Sequence, residues 1–147
     1  MDKYEGLRLK NQLCFPLYSV SNLITRNYQP LLEKLDLTYT QYIVMMVLWE
    51  KEEVTEKQLG AALYLKSNTL TLLLQKLKGK GYVSIEKGKE DSRYRIIRLS
   101  EKGRNLKELA IDVPPSIAKS IGLEPEEAVF LHDILYKILE ENQHEEL

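Results

Sequence analysis

The sequence predicts a mainly α-helical fold carrying one small β-hairpin, and three observations carry that expectation. Apolar residues recur at three- and four-residue spacings through most of the 147 residues. Two short helical stretches with start signals at Thr55 and Ser67 follow one another closely. Two alternating segments, 82–86 and 94–99, come directly after that pair with a polar turn between them. A helix pair followed by a hairpin is the arrangement of a winged helix-turn-helix. Its core is expected over about 39–100 of a single unit spanning 1–147, with flanking helices over about 7–36 and 101–147.

Leu13, Leu17, Val20 and Ile24 form one stripe of a first amphipathic helix. Pro30 then sets a break and opens a short helix with Leu31, Leu32 and Leu35. Asp36 and Thr38 mark the next boundary, and Thr40 to Trp49 is apolar enough to be a helix buried on most sides. Thr55 followed by Gln58 is a capping box, with Leu59, Ala62 and Leu63 inward on the helix it opens. Tyr64–Lys66 is a tight connection, Ser67 caps a second helix, and Gly79 and Gly81 end it. In the hairpin Val83 and Ile85 share one face of the first strand, and Ile97 and Leu99 fall together on the second, with Lys87 to Arg93 as the turn around Gly88. Ser100 caps the helix that follows, Pro114-Pro115 interrupts it, and Glu124-Pro125-Glu126-Glu127 opens a last helix with Leu131, Leu135 and Ile138.

No apolar run reaches the ~20 residues needed to cross a bilayer, and the polar N-terminus does not read as a secretory signal. The single cysteine rules out an internal disulfide and a cysteine metal cluster within the chain. A cytoplasmic setting without metal or cofactor is the expectation. The net charge of -1 conceals an asymmetry: residues 57–107 hold 13 Lys/Arg against 4 Asp/Glu, a balance of +9 between acidic ends. Such a stretch is either a solvated helical surface or a surface for a polyanion.

On a wheel of the second helix, Leu70, Leu73, Leu74 and Leu77 face inward, and Asn68, Thr71, Leu72 and Gln75 face outward between Thr69, Lys76 and Lys78. Short polar, amide and cationic groups are those that meet base edges and phosphates in a major groove. Lys66 and Ser67 stand at the helix N-terminus, where backbone amides attract phosphate. Exposed Leu72 either meets a thymine methyl or is covered by a neighbouring segment. The hairpin adds Lys87, Lys89, Arg93, Arg95 and Arg98, suited to the narrow minor groove, with Asp91 steadying Arg93. Helix pair, wing and charge together point to double-stranded DNA. The apolar stripes near both ends need cover, either from each other or, more favourably, in a two-fold homodimer that matches a palindromic operator.

Cys14 stands at the start of the first amphipathic helix. A thiol there meets the positive end of the helix dipole, which favours thiolate, the form that peroxides oxidise. A lone cysteine also serves as an inert, small apolar residue. Tyr18, Tyr28, Tyr39 and Tyr42 gather in the N-terminal third, as packing anchors or as phenol donors to a thiolate. His132 and His144 lie in the C-terminal part, read as a partly buried helix residue and a tail residue, and no catalytic triad order, phosphate loop or metal-ligand spacing occurs.

Several segments in order resemble the OhrR group of the MarR family. They are Leu13-Cys14-Phe15-Pro16-Leu17-Tyr18, Leu37-Thr38-Tyr39-Thr40-Gln41-Tyr42, Tyr64-Leu65-Lys66-Ser67-Asn68-Thr69-Leu70-Thr71, Glu90-Asp91-Ser92-Arg93 and Leu99-Ser100-Glu101-Lys102-Gly103. The resemblance implies a triangular dimer of winged domains that represses its operator and leaves it on oxidation by organic hydroperoxides. It implies Cys14 as the sensing thiolate, with Tyr28 and Tyr39 of the other subunit as phenol partners. With no second cysteine, it implies a mixed disulfide with a low-molecular-weight thiol. Lys66, Asn68, Leu72 and Ser92 stand where the group commonly has Asp, Gly, Pro and Glu, departures that bear on the operator sequence. Two other effector chemistries fit the residues less well: release by a small aromatic or phenolic ligand, and a thiol peroxidase, which would lack a resolving cysteine.

Overall fold

The computed structural model describes residues 2–143, so His144 lies outside the described residues. Two short 3-10 turns, Glu5–Leu7 and Leu9–Asn11, lead into α1 (Cys14–Glu33) and α2 (Tyr39–Lys51). Then come β1 (Glu53–Thr55), α3 (Glu56–Leu63), α4 (Ser67–Gly79) and the hairpin β2 (Val83–Lys87) and β3 (Arg95–Leu99). α5 (Glu101–Ala110), α6 (Val113–Ile121) and α7 (Pro125–Glu141) complete the chain. The fold is therefore mainly helical with a small antiparallel sheet, as the patterning implies.

Capping sets most boundaries. Thr38 and Gln41 close a capping box at the head of α2, and Thr55 and Gln58 close another at the head of α3. Ser100 accepts the Gly103 amide at α5, and the Glu124 amide donates to the Glu127 carboxylate at α7. α4 departs from expectation: Lys66 occupies the cap position, Ser67 is already helical, and no side chain caps the turn. Gly81, at φ 80°, releases the chain from α4 into the wing in a conformation that favours glycine.

Pro30 does not break the first helix. α1 runs through it to Glu33, and Leu32 and Leu35 just beyond the proline are buried. Proline forfeits one backbone hydrogen bond, but only in the last turn, and burying those leucines carries the helix through. Ala62, expected inward, is exposed, because α3 buries only Leu59 and half-buries Leu63. The Pro114-Pro115 pair does end α5: the chain turns and restarts as α6 with both prolines in its first turn.

The hairpin is one edge of a three-stranded sheet in the order β1-β3-β2. Val54 faces Ile97 on one side of β3, and Ile85 faces Ile97 on the other. Beneath this sheet the core joins Val44, Met45 and Leu48 of α2, Leu59 of α3, and Leu70, Leu74 and Leu77 of α4. Tyr82 ties the corners together. Its hydroxyl donates to the Leu35 carbonyl at 2.9 Å, its amide to Leu77, and its carbonyl accepts from Ser100. A Cβ at Gly103 would fall 2.2 Å from that same Tyr82 carbonyl oxygen, so α5 can sit this close only with glycine there. The Trp49 indole N–H donates to the Gly103 carbonyl at 2.9 Å and fixes α5 to α2.

Candidate nucleic-acid interface and redox site

α4 presents its inner face as expected, with Leu70, Leu73, Leu74 and Leu77 buried. Asn68, Thr69, Leu72, Gln75, Lys76 and Lys78 are exposed on the other side, with Lys66 and Ser67 at its start. Thr71 is the exception to the wheel. It is half-buried, and its hydroxyl lies 2.9 Å from both the Glu56 carboxylate and the Ser67 carbonyl. It holds α4 against α3 instead of facing outward, a contact between separate helices that a single-helix wheel does not contain. The Asn68 side chain accepts the Thr69 amide at 2.9 Å, satisfying one free donor of the uncapped turn. No Asp or Glu occurs anywhere in α4.

The wing tip is built on Asp91. Its carboxylate accepts the Arg93 amide at 3.0 Å and the Arg93 guanidinium through Nε and Nη2, the shorter contact at 2.7 Å. Arg93 beside it holds the Asp91 carboxyl below the usual carboxylate range, and Asp91 in turn raises Arg93. The Arg93 side chain is nevertheless 87% exposed. It keeps further N–H donors directed at solvent.

The +9 balance of the middle segment overstates its outward charge. Arg98 is bonded between Glu53 and Glu86, at 2.7 and 2.9 Å, and clamps the three strands from outside. Arg104 pairs with Glu52. Lys80 donates to the Asp36 carbonyl at 2.6 Å and to Gln41, Lys102 to the Lys80 carbonyl, and Lys107 to the Trp49 carbonyl. Lys57, Lys66, Lys76, Lys78, Lys87, Lys89 and Arg95 have no hydrogen-bond or ion-pair partner among the described residues. With the exposed Arg93, they are the cations left for a polyanion, and all but Lys57 lie on α4, at its start or on the hairpin.

Cys14 is the first residue of α1 and its thiol is exposed. Tyr28, Tyr39 and Tyr42 do come together, with ring centroids 4.8 Å apart for Tyr28–Tyr39 and 5.7 Å for Tyr28–Tyr42. Tyr18 stays apart from them, exposed on α1. Burial, then the neighbouring Tyr39 and Tyr42 phenols, pushes Tyr28 up to about 12, and burial likewise raises Tyr39 and Tyr42. These phenols therefore keep their protons, and their donor capacity, at neutral pH. Cys14 and Tyr28 lie 14 residues apart on one continuous helix, which separates them by roughly 21 Å along its axis. Cys14 is therefore not in contact with the Tyr28 cluster of its own chain.

His132 is exposed, contrary to its expected partial burial, with its Nδ1 3.1 Å from Asp133 and its ring 4.7 Å from that of Tyr136. Among the described residues no cluster of His, Cys, Asp and Glu could hold a metal ion, and no helix is long and apolar enough to cross a membrane.

A helix with an acid-free outer face, set beside a cationic wing and locked to a helix-turn-helix core, defines a winged-helix DNA-binding regulator. The family model described as transcriptional regulator SarA/Rot matches residues 26–109. An organic hydroperoxide resistance transcriptional regulator of Bacillus subtilis (strain 168) is 41% identical over 139 residues, 95% of each chain. The structure of reduced AbfR bound to DNA matches with a TM-score of 0.77 at 36% identity, over 95% of this chain and 98% of that one. A mutant MarR from Escherichia coli complexed with operator DNA matches with a TM-score of 0.75 at 22% identity, over 95% and 99% of the two chains, a likeness of fold alone. The chain belongs to the MarR family of transcriptional regulators, in its OhrR-like group. It is a DNA-binding regulator and not an enzyme.

Proposed function

We propose that the protein is a homodimeric repressor that binds a palindromic operator and leaves it when Cys14 is oxidised by an organic hydroperoxide. The observation that carries this reading is the placement of Cys14. It heads a helix whose first apolar side chains Phe15 and Leu17 are exposed, as is Leu13 just before it, while the phenols suited to hydrogen-bond a thiolate gather near the far end of that helix. A second copy packed two-fold against α1 covers the apolar stripe and brings its own Tyr28 and Tyr39 to Cys14. The exposed apolar residues of α7, among them Phe130, Leu131 and Ile134, supply the rest of the dimer surface.

In this reading Lys66, Ser67, Asn68, Thr69, Gln75 and Lys76 of α4 engage the major groove, and Lys87, Lys89, Arg93 and Arg95 of the wing engage the backbone and minor groove. Thr71 positions α4 through Glu56, and Asp91 positions Arg93. The Cys14 thiolate attacks the terminal oxygen of the hydroperoxide, which moves with its hydrogen to sulfur as the O–O bond breaks. The departing alkoxide takes a proton from solvent and leaves as the alcohol, giving sulfenic acid at Cys14. A low-molecular-weight thiol then displaces the hydroxyl as water and forms a mixed disulfide. A second thiol reduces that disulfide, releases the small-molecule disulfide and restores Cys14. Added bulk at a subunit interface, with loss of the thiolate–phenol hydrogen bonds, biases the dimer away from its DNA-binding arrangement. The relatives' roles and the lone cysteine support this cycle, and a cytoplasmic site of action fits its thiol chemistry.

The test is operator release measured side by side for the parent and Cys14→Ser, with organic hydroperoxide and with hydrogen peroxide. The parent should be released by organic hydroperoxide, whereas Cys14→Ser should bind DNA as tightly and stay bound. Equal release of both would overturn sensing at Cys14.

A further inference from the structure

Leu72 is 66% exposed midway along α4, while Leu70, Leu73, Leu74 and Leu77 around it are buried. One turn before it on the same face stand Asn68 and Thr69, and one turn after it Gln75 and Lys76, all exposed. An exposed apolar side chain is unremarkable by itself. Its setting is not: it is the one large apolar group on a face that carries amides, hydroxyls and lysines and no carboxylate. Charge complementarity makes a polyanion the occupant of that face, with Lys66 and Lys76 to either side of Leu72. The apolar feature that a base pair offers in the major groove is the thymine C5-methyl group. Of the two threonines near Leu72, Thr71 is held against α3 by its contacts with Glu56 and the Ser67 carbonyl, and Thr69, one turn earlier, carries a single exposed methyl group.

We infer that Leu72 is a specificity-determining residue that packs on the 5-methyl group of one thymine in each operator half-site. The inference rests on the DNA-reading role proposed for α4. It predicts that this position discriminates thymine from cytosine and from uracil by the methyl group, alongside whatever hydrogen bonds Asn68 and Gln75 make.

The test uses a duplex selected by the full-length protein from a random pool, with deoxyuridine then placed at each thymine in turn. That change removes the methyl and keeps every hydrogen-bonding group of the base pair. Affinity is read by fluorescence anisotropy at fixed salt for the parent, Leu72→Ala and Leu72→Met. At one thymine per half-site the parent should lose affinity by about fourfold, and by about fifteenfold when both half-sites are changed, as expected for one methyl-sized group buried in each. Leu72→Ala should bind the thymine and uracil duplexes equally, and Leu72→Met should keep part of the preference. If the parent binds its selected duplex specifically but no uracil substitution matters, or if Leu72→Ala discriminates as the parent does, the assignment of Leu72 is wrong while α4 remains a DNA reader. If the pool yields no preferred sequence at all, the DNA-reading role falls and the inference with it.

Discussion

The winged-helix body and the terminal helices use apolar residues in opposite ways. In the body, α2 buries Val44, Met45 and Leu48, and α4 buries four leucines against them. α7 is comparably rich in apolar residues and buries none, leaving Phe130 69% exposed, and α1 buries only Leu32 near its end. One region buries its apolar residues within a single chain and the other leaves them exposed. Exposed apolar surface on this scale marks a site of association. In the proposed dimer the contrast separates two tasks physically: a closed unit holds α4 and the wing in fixed geometry, while an open one would let the state of Cys14 act on how two copies meet.

The sharpest way to break this contrast is to make one substitution in each region. Leu48→Ala, at 0% exposure, should destabilise the folded chain by about 2–5 kcal/mol, measured by urea unfolding. Phe130→Glu should leave helix content and the body's fold intact but shift the protein toward monomer in sedimentation velocity, with operator affinity falling alongside. A Phe130→Glu protein that remained dimeric would show that α7 is not half of an interface.

Tyr82→Phe tests the joint between the regions. The Tyr82 hydroxyl, buried, satisfies the Leu35 carbonyl at the α1–α2 corner, and its loss should cost about 1–3 kcal/mol. Because that corner links the sensor helix to the end of α4, operator release per oxidised Cys14 should also weaken. A stability loss without any change in release would make Tyr82 purely structural.

Tyr28 gives a smaller, pH-dependent signature. An unfolded chain ionises this phenol near 10.0, and the folded chain holds it to about 12, mainly by burial and then by Tyr39 and Tyr42. The unfolded state therefore loses its proton first. Tyr28's share of stability is fully present below pH 10 and drains away as pH rises toward 12. Tyr28→Phe should flatten the fall in melting temperature over that window relative to the parent. The smallest effect concerns the wing. Arg95→Ala should lower the salt slope of DNA affinity by about 0.9 for each phosphate that Arg95 neutralises. Arg98→Ala should leave the slope unchanged, because Glu53 and Glu86 already hold Arg98.

Local chemistry made much of the body legible in advance. Thr55 with Gln58, Ser100 before Gly103, and the alternation on either side of Gly88 each specify a boundary through neighbours within a few residues. What escaped depends on distant partners. β1 is only three residues long, too short to alternate, and its pairing with β3 lies more than forty residues away. Pro30 obeys its local rule until the burial of Leu32 and Leu35 outweighs it. Counting cations cannot reveal that Arg98, Arg104 and Lys80 are already occupied. A helical wheel puts Thr71 outward because it knows nothing of Glu56 on the preceding helix. Cys14 and the tyrosines were readable as residue types, but the proposed relation between them runs across two chains, which the pattern of one chain does not contain.

That relation is open to a direct measurement. Heterodimers combining a Cys14→Ser chain with a chain carrying Tyr28→Phe and Tyr39→Phe can be purified with two affinity tags, and the rate of thiol loss on adding organic hydroperoxide followed. If the sensor forms across the interface, the single remaining thiol faces intact tyrosines from its partner and should react at the parent's rate. Reaction at the slower rate of the tyrosine-variant homodimer would place thiol and phenols in the same chain and contradict the trans arrangement.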